Sequence, residues 1–229
     1  MLYQGLRPYL PFLLVSALAI NLLADWPYRL LLLSRWVAAA WIIHALNRFV
    51  FNGGLSRTFG LKPRKLVGLP GILASPLLHD CGLDDHAKGH IFYNTFAFLF
   101  TGWLLLLNGF FSFYVVSLFV ILFGGFLTWL LGRPGTNHVG ASGVINGYTG
   151  FLLIYGLVIL DVYALIITFA IALERLVNTL RGLSPKQVGV SWEMHLFSFL
   201  GGVVAAVYFE RIYNWFVWLE WYAYVEGWR

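Results

Sequence analysis

The amino-acid sequence predicts an all-α membrane protein, a bundle of six transmembrane helices with a C-terminal interfacial helix. Two observations on composition support this prediction. Of the 229 residues, 60% are hydrophobic and only 11% are charged, against roughly 25% charged residues in an average soluble domain. Such a chain has too little polar surface for a water-soluble globule, which disfavours a soluble enzyme and a disordered chain. The third observation is the length of its apolar stretches.

Six apolar stretches are long enough to cross a bilayer. Crossing about 30 Å of hydrocarbon at about 1.5 Å per residue needs about 20 residues. The candidates are 30–51, 90–107, 111–131, 142–160, 162–177 and 191–209. A seventh stretch, 9–24, is short and either spans the bilayer or lies at its interface. Short turns at Asn108-Gly109 and around Asp161 predict two antiparallel hairpins.

We divide the chain into an N-terminal apolar segment (1–29), a six-helix core (30–209) and an aromatic tail (210–229). Within the core, segment 52–89 is too apolar for a solvated linker and too interrupted by proline and glycine to span. We expect a structured loop partly sunk in the membrane edge. The tail mixes Trp and Tyr with charges, and such amphipathic aromatics prefer the headgroup region.

The remaining bulk properties concern partners. In a membrane protein, a net charge of +5 indicates basic loops that set the orientation in the membrane and contact anionic lipid, rather than binding of nucleic acid. No basic stretch is interleaved with exposed aromatics, so we expect a lipid bilayer and no nucleic acid as partner. The single cysteine, Cys81, rules out an internal disulfide and a Cys-rich zinc ribbon.

The first candidate site is GASG, at the start of the fourth span. Polar groups at membrane depth are costly and are functional candidates by default. Ser142 would occupy the first turn of a helix, where free N–H groups and the helix dipole favour negative charge. A serine nucleophile needs such donors for the oxyanion, and Gly140 and Gly143 remove side chains beside it. Ser and Gly are also common in packed membrane helices, and this alternative stays open for the motif alone.

The second candidate is His195, near the start of the sixth span. Ser198 and Gly202 lie on the same helical face, and Gly143 and Gly147 form a small-xxx-small pair in the fourth span. Small residues let helix backbones approach closely, so we expect the nucleophile and a general base within hydrogen-bond reach. No carboxylate obviously completes a triad, and a Ser–His dyad is predicted.

The third candidate is GHIFYNTF, which opens the second span. His90 and Asn94 are four residues apart and share one face. The Asn amide is a suitable second oxyanion donor, and His90 can assist. The alternative is a hydrogen bond that serves helix packing.

A metal-handling protein is a competing hypothesis. The segment HDCGLDDHAKGH concentrates potential ligands, namely His79, Asp84, Asp85, His86 and His90. However, a catalytic HExxH helix would need Glu at position 87, where this chain has Ala87. The plainer interpretation is a polar cluster at the water boundary, just before a helix begins.

Taken together and in order, these features resemble the rhomboid intramembrane serine proteases over roughly residues 30–209. The resemblance rests on the FGLKPR…GLPGI loop, HxxxN in the second span, GASG in the fourth and His followed by small residues in the sixth. It implies hydrolysis of peptide bonds in or beside transmembrane protein substrates, with Ser142 as nucleophile and His195 as general base. The Ser142 amide, Asn94 and His90 would stabilise the oxyanion, and no metal or cofactor is implied.

Supporting positions around this site are Gly140, Ala141, Gly143, Asn146, Gly147, Ser198 and Gly202. We expect a multi-pass integral membrane protein of the bacterial inner (cytoplasmic) membrane. Two positions depart from the family pattern. Asn146 stands where an aromatic residue usually packs on the histidine, so it either hydrogen-bonds His195 or signals a weakened site. Ser198 replaces a glycine, but it is still small enough for close packing. A proteolytically inactive relative that binds membrane clients or joins a larger complex is therefore the alternative.

The predicted orientation depends on which argument is followed. The loops expected on the catalytic face, 52–89, 132–141 and 178–190, hold more basic residues than the opposite face. The positive-inside rule then places the site toward the cytoplasm. The resemblance implies an outward opening for many family members, so the two arguments disagree.

Overall fold

The computed structural model describes residues 20, 23–81, 85–184 and 191–225, and this part of the chain is almost entirely helical. Its α-helices, numbered in chain order, are α1 (Trp26–Phe49), α2 (Gly54–Phe59), α3 (Gly71–Ala74), α4 (Asp85–Leu106), α5 (Phe110–Leu131), α6 (Ser142–Ile159), α7 (Val162–Gly182), α8 (Trp192–Val207) and α9 (Phe209–Val225). The extended pairing found among the described residues is one antiparallel bridge between Leu61 and His138.

Helix length and composition identify the membrane spans. Among the described residues, α1, α4, α5, α6 and α7 are each long and apolar enough to cross a bilayer. Helix α8 has 16 residues and reaches about 24 Å, less than the roughly 30 Å of a hydrocarbon core. It qualifies only together with α9, across a bend of 86°. The fold is an all-α, multi-pass membrane bundle, as predicted.

Several of the observed helices extend beyond the ends of the predicted spans. Helix α1 begins at Trp26 rather than residue 30, with Pro27 in its first turn, where a preset φ favours helix initiation. Helix α7 continues to Gly182 rather than residue 177. Hydropathy detects the stretch that fits hydrocarbon, whereas a helix ends where its backbone hydrogen bonds end. Residues 9–19, 21–22 and 226–229 lie outside the described residues, so the prediction for the N-terminal segment stands as a prediction.

Helix α6 lies at the centre of the bundle, packed against α5, α7 and α8. Its side chains Tyr148 and Phe151 are fully buried, together with Leu33 of α1, Leu105 of α4 and Phe113 of α5. The α4–α5 and α6–α7 pairs are joined by short turns, as predicted. Asp161 caps α7 by accepting hydrogen bonds from the backbone N–H groups of residues 163 and 164. Helix α6, which begins at Ser142, is therefore enclosed by its neighbours.

The segment after α1 is structured, as expected. The Asn47 amide donates to Ser56 Oγ (2.6 Å), and that hydroxyl donates to the His79 carbonyl (3.0 Å). Leu61 exchanges two backbone hydrogen bonds with His138, of 3.0 and 2.9 Å. These bonds tie the segment to the α5–α6 connection, which leads directly into α6. Its depth in the membrane is still a prediction.

Helix α9 turns away from α8 and buries none of its described side chains. The bend between α8 and α9 turns the aromatic tail away from the α8 axis by 86°. At its start, the Phe209 ring packs on Phe151 and Tyr155, with ring centroids 5.5 and 5.2 Å apart. The placement of this helix at the membrane interface stays a prediction.

Candidate active site

Ser142 and His195 are brought together by the packing of α6 against α8. The His195 Nε2 atom lies 2.8 Å from Ser142 Oγ, within ordinary hydrogen-bond range. Ser142 is the first residue of α6, and His195 lies in the first turn of α8. Although 53 residues apart in sequence, the two side chains are direct neighbours.

A backbone carbonyl orients the imidazole, and no carboxylate is needed for that purpose. The Nδ1 atom of His195 lies 3.0 Å from the carbonyl oxygen of Gly182, at the end of α7. A carbonyl can only accept, so Nδ1 carries the proton and donates it. The Nε2 atom is then left to accept the hydrogen bond from the Ser142 hydroxyl, which is the tautomer a general base requires. The role of Gly182 is not predictable from the sequence, since a backbone acceptor has no residue-type signature.

Gly140 brings the second-span residues close to the start of α6. Its φ is +118°, a conformation that favours glycine. A Cβ atom at this position would lie 2.9 Å from His90 Cε1 and 3.5 Å from Asn94 Nδ2. Only the absence of a side chain lets His90 and Asn94 lie beside the backbone that leads through Ala141 to Ser142.

Asn94 is held by a histidine that sequence analysis considered only as a metal ligand. Its Nδ2 atom lies 3.2 Å from Nε2 of His79, and His79 is 1% exposed. Burial, with smaller contributions from His90 and His44, lowers the pKa of His79 to about 3. The ring is therefore neutral near pH 7, and its Nε2 can accept from the Asn94 amide, whose second N–H is left for another acceptor.

The small residues bring α6 and α8 together as predicted, except that Gly147 faces α5. A Cβ on Gly143 would lie 3.1 Å from Met194 and 3.3 Å from Ser198 Oγ, both on α8. Gly202 of α8 lies directly against the α6 backbone at the Gly147 carbonyl. Gly147's own Cα, however, faces Val120 of α5, whose Cγ2 would be 2.9 Å from an added Cβ. Because α6 is surrounded by several helices, glycines at different positions along it leave space for different neighbouring helices.

Ser198 fits without displacing its neighbours. It is buried, and its Cα would lie 2.7 Å from a Cβ on Gly124 of α5. The glycine on the facing helix therefore supplies the space that Ser198 takes. Close packing is therefore kept when Ser198 replaces the glycine that is usual in the family, as expected.

Of the two alternatives for Asn146, the hydrogen bond with His195 is not formed. The Asn146 amide donates to the Ser142 carbonyl oxygen, four residues earlier in the same helix, at 2.8 Å. Both ring nitrogens of His195 are already engaged, by Ser142 and by Gly182. Asn146 therefore lies one turn from the dyad and does not contact the histidine through a hydrogen bond.

An ion pair that sequence analysis missed connects the loop before α6 to the start of α8. The guanidinium of Arg133 donates to the carboxylate of Glu193, which is buried in the first turn of α8. The Arg133 guanidinium also lies 5.8 Å above the Trp192 ring. These contacts hold the two segments that carry Ser142 and His195 to each other.

A cavity of about 260 Å³ lies against Asn94 and Ala141. Its walls are mostly apolar side chains from α1, α4, α5 and α6. Ser117 and Tyr148 also line it, and their hydroxyl oxygens are 2.6 Å apart. The cavity thus lies beside Asn94 and beside the residue that precedes Ser142, on the side of α4 and α6.

The metal-handling alternative gains no support from the described residues. They contain no group of three or more His, Cys, Asp or Glu side chains placed to hold a metal ion. Asp84 and the side chains of Asp85 and His86 lie outside the described part of the chain. Cys81 receives a hydrogen bond from the Asn47 amide at 3.2 Å.

Comparison with known proteins gives the family. Residues 86–212 match the family model of the Rhomboid domain. Uncharacterized proteins of Mycobacterium tuberculosis (Rv1337) and Mycobacterium bovis (Mb1372) are each 33% identical over 179 residues, which cover 75% of this chain and 71% of the relative. An uncharacterized protein of Mycobacterium leprae (ML1171) is 35% identical over 158 residues, covering 64% of this chain and 59% of the relative. The chain therefore belongs to the rhomboid family.

Proposed function

We propose that this protein is an intramembrane serine protease that hydrolyses peptide bonds in or beside transmembrane segments. The observation that carries the proposal is the 2.8 Å separation of Ser142 Oγ and His195 Nε2 in a chain of the rhomboid family. The Gly182 carbonyl supports it further, because it selects the tautomer in which Nε2 can accept a proton.

The proposed reaction begins with proton transfer from Ser142 to His195. As Nε2 takes the hydroxyl proton, Oγ attacks the carbonyl carbon of the scissile bond. The resulting oxyanion is stabilised by the Ser142 backbone N–H at the start of α6, by the Asn94 amide and by His90. His195 then donates its proton to the leaving amine, and water hydrolyses the acyl-enzyme. These steps use no metal and no cofactor.

The proposed substrates are membrane proteins, and the enzyme would act in the bacterial inner membrane. A peptide bond within a helix is shielded by the surrounding side chains and by its own hydrogen bonds. The substrate segment must therefore unwind locally to reach Ser142. The relatives from mycobacteria support a bacterial setting.

The test is cleavage of a transmembrane reporter by purified protein in detergent or liposomes. We expect Ser142→Ala and His195→Ala each to abolish cleavage without loss of folding. The matched control is Ser34→Ala, because Ser34 is exposed on α1 and its hydroxyl donates only within its own helix, to the Leu31 carbonyl. Its activity should equal that of the wild type.

A fluorophosphonate probe gives an independent measurement. An activated Ser142 should be labelled covalently in the wild type and not in Ser142→Ala. Retained cleavage in either dyad variant would contradict the assignment. Absence of both labelling and cleavage in the folded wild type would favour the alternative, an inactive family member that binds membrane clients.

A further inference from the structure

The first turn of α8 contains a buried carboxylate that the proposed reaction does not use. Glu193 lies two residues before His195, and its side chain is 3% exposed, against 56% for that of its partner Arg133. Arg133 donates to this carboxylate through both Nε and Nη2. A charge removed from water is tolerated where it is paired and hydrogen-bonded. The burial of Glu193 therefore depends on Arg133.

This carboxylate is the polar anchor at the end of α8 that bears His195. Ser191, which precedes the helix, makes no side-chain capping hydrogen bond within the described chain. The Glu193 carboxylate accepts a hydrogen bond from its own backbone N–H in addition to those from Arg133. The backbone contact at Gly202 lies seven residues beyond His195, about 10 Å further along the helix. The ion pair and the Gly202 contact thus fix α8 at different heights.

The other half of the pair belongs to a well-anchored part of the molecule. Arg133 lies in the α5–α6 connection, residues 132–141, which leads directly into Ser142. This connection is bonded to the segment after α1, because the Gly140 N–H donates to the Ser75 carbonyl at 2.9 Å. Arg133 therefore joins α8 to the same frame that places Ser142.

His138 is a second titratable side chain near the Glu193 carboxylate. It is 1% exposed, and burial lowers its pKa, so its ring is neutral near pH 7. Its Nε2 atom lies 2.8 Å from Thr136 Oγ1, within its own connection. The positive charge that holds Glu193 is therefore that of Arg133.

We propose that Arg133 and Glu193 are positioning residues that hold the start of α8 at the height where His195 Nε2 meets Ser142 Oγ. The proposal rests on the proposed function, because this height matters only if His195 takes the serine proton. The two residues act through the backbone of α8 and not on the reacting atoms. The distance that they maintain is 2.8 Å, and a displacement of about 1 Å at a reacting centre can cost about 10²-fold in rate.

Removal of one partner and removal of both partners separate positioning from stability. Arg133→Met leaves the Glu193 carboxylate buried without its partner, which is strongly destabilising. The double variant, Arg133→Met with Glu193→Met, leaves no buried charge. Replacing a buried ion pair with apolar residues of similar volume is often neutral for stability. The double variant should therefore regain stability while the link between α8 and the connection stays broken.

Two further variants serve as the conservative exchange and the matched control. Glu193→Gln keeps the shape of the side chain and an oxygen that accepts from Arg133. Arg64→Met removes an arginine that is bonded to the same connection, through the Gly132 carbonyl at 3.0 Å. The rate of fluorophosphonate labelling reports attack by Ser142, and the melting temperature in detergent reports stability.

We expect Arg133→Met to lower the melting temperature by about 5 °C or more and the labelling rate by about tenfold or more. The double variant should melt near the wild-type temperature, but its labelling should stay about tenfold or more below that of the wild type. Glu193→Gln and Arg64→Met should both be labelled at close to the wild-type rate.

The proposal is overturned if labelling recovers together with the melting temperature in the double variant, because the pair then serves stability alone. Labelling of Arg133→Met at the wild-type rate overturns it as well. So does loss of labelling in a stably folded Glu193→Gln, because charge rather than position then matters. If the double variant does not regain stability, these two single variants decide. A wild type that is not labelled at all would instead contradict the proposed function, so the two failures are distinguishable.

Discussion

Gly202→Ala should separate the two helices that carry the proposed dyad. Gly202 lies where α8 meets the backbone of α6. A methyl group there would lie 2.7 Å from the Phe151 nitrogen and closer still to the Gly147 carbonyl oxygen. Both obstacles are main-chain atoms inside a helix, so no side-chain rotation can relieve the overlap.

The size of the effect follows from these distances. Ordinary van der Waals contact begins at about 3.4 Å, so α8 has to move away from α6 by about 1 Å. Overpacking of this kind costs about 1–3 kcal/mol of stability. The 2.8 Å bond between His195 and Ser142 crosses the same interface, and a displacement of about 1 Å at a reacting centre can cost about 10²-fold in rate.

The assay combines reporter cleavage with thermal unfolding in detergent. Gly202→Ala should lower cleavage about 100-fold and lower the melting temperature. Gly54→Ala is the matched control, because a Cβ at Gly54 would meet nothing closer than Phe51 Cβ at 3.7 Å. Wild-type cleavage and stability in Gly202→Ala would refute the argument that this contact sets the distance between Ser142 and His195.

Three further predictions follow from other contacts. Asn94→Ala should lower the catalytic rate about 10²-fold or more with little change in KM, as expected for loss of an oxyanion donor; a change confined to KM would contradict that role. His79 has a pKa of about 3 when folded and about 6.5 when unfolded, so the unfolded chain binds the extra proton. Stability is therefore full above pH 6.5 and falls below it by up to about 1.4 kcal/mol per pH unit from this group. Unfolding measured between pH 7 and 5 should show this slope, and His79→Gln should flatten it. Asp161→Ala removes two capping hydrogen bonds and should cost about 1 kcal/mol, whereas Asp161→Asn should keep most of that stability; equal melting temperatures for wild type and Asp161→Ala would count against the cap.

Much of the fold could be predicted because hydropathy is a local property of the chain. The helices α5 and α6 begin and end within about one residue of the predicted spans, since each is an apolar run bounded by turn residues, whereas α4 begins at Asp85 rather than residue 90. The angle between α8 and α9 could not be predicted in this way. The apolar run continues through Val207 into Phe209, and the 86° bend between α8 and α9 leaves no mark on its hydropathy.

The candidate site was predictable to the extent that residue type reveals chemistry. Ser142 and His195 were selected because polar groups are rare at membrane depth, and their flanking small residues indicated close helix packing. The contacts that orient them were not predictable. The Gly182 carbonyl is a backbone group that every residue possesses. His79 lies 15 residues before Asn94, and nothing in that spacing indicates a contact.

The sequence by itself determined that this is a membrane protein, where its spans lie and which uncommon polar residues they contain, because transfer into hydrocarbon depends on each residue's own chemistry. The tertiary structure alone decided which of those residues meet. Whether Ser142 reaches His195, or Asn146 turns toward its own helix instead, depends on the rotation and separation of α6, α7 and α8. Those quantities follow from side-chain packing across several helices at once, and no short stretch of sequence encodes them.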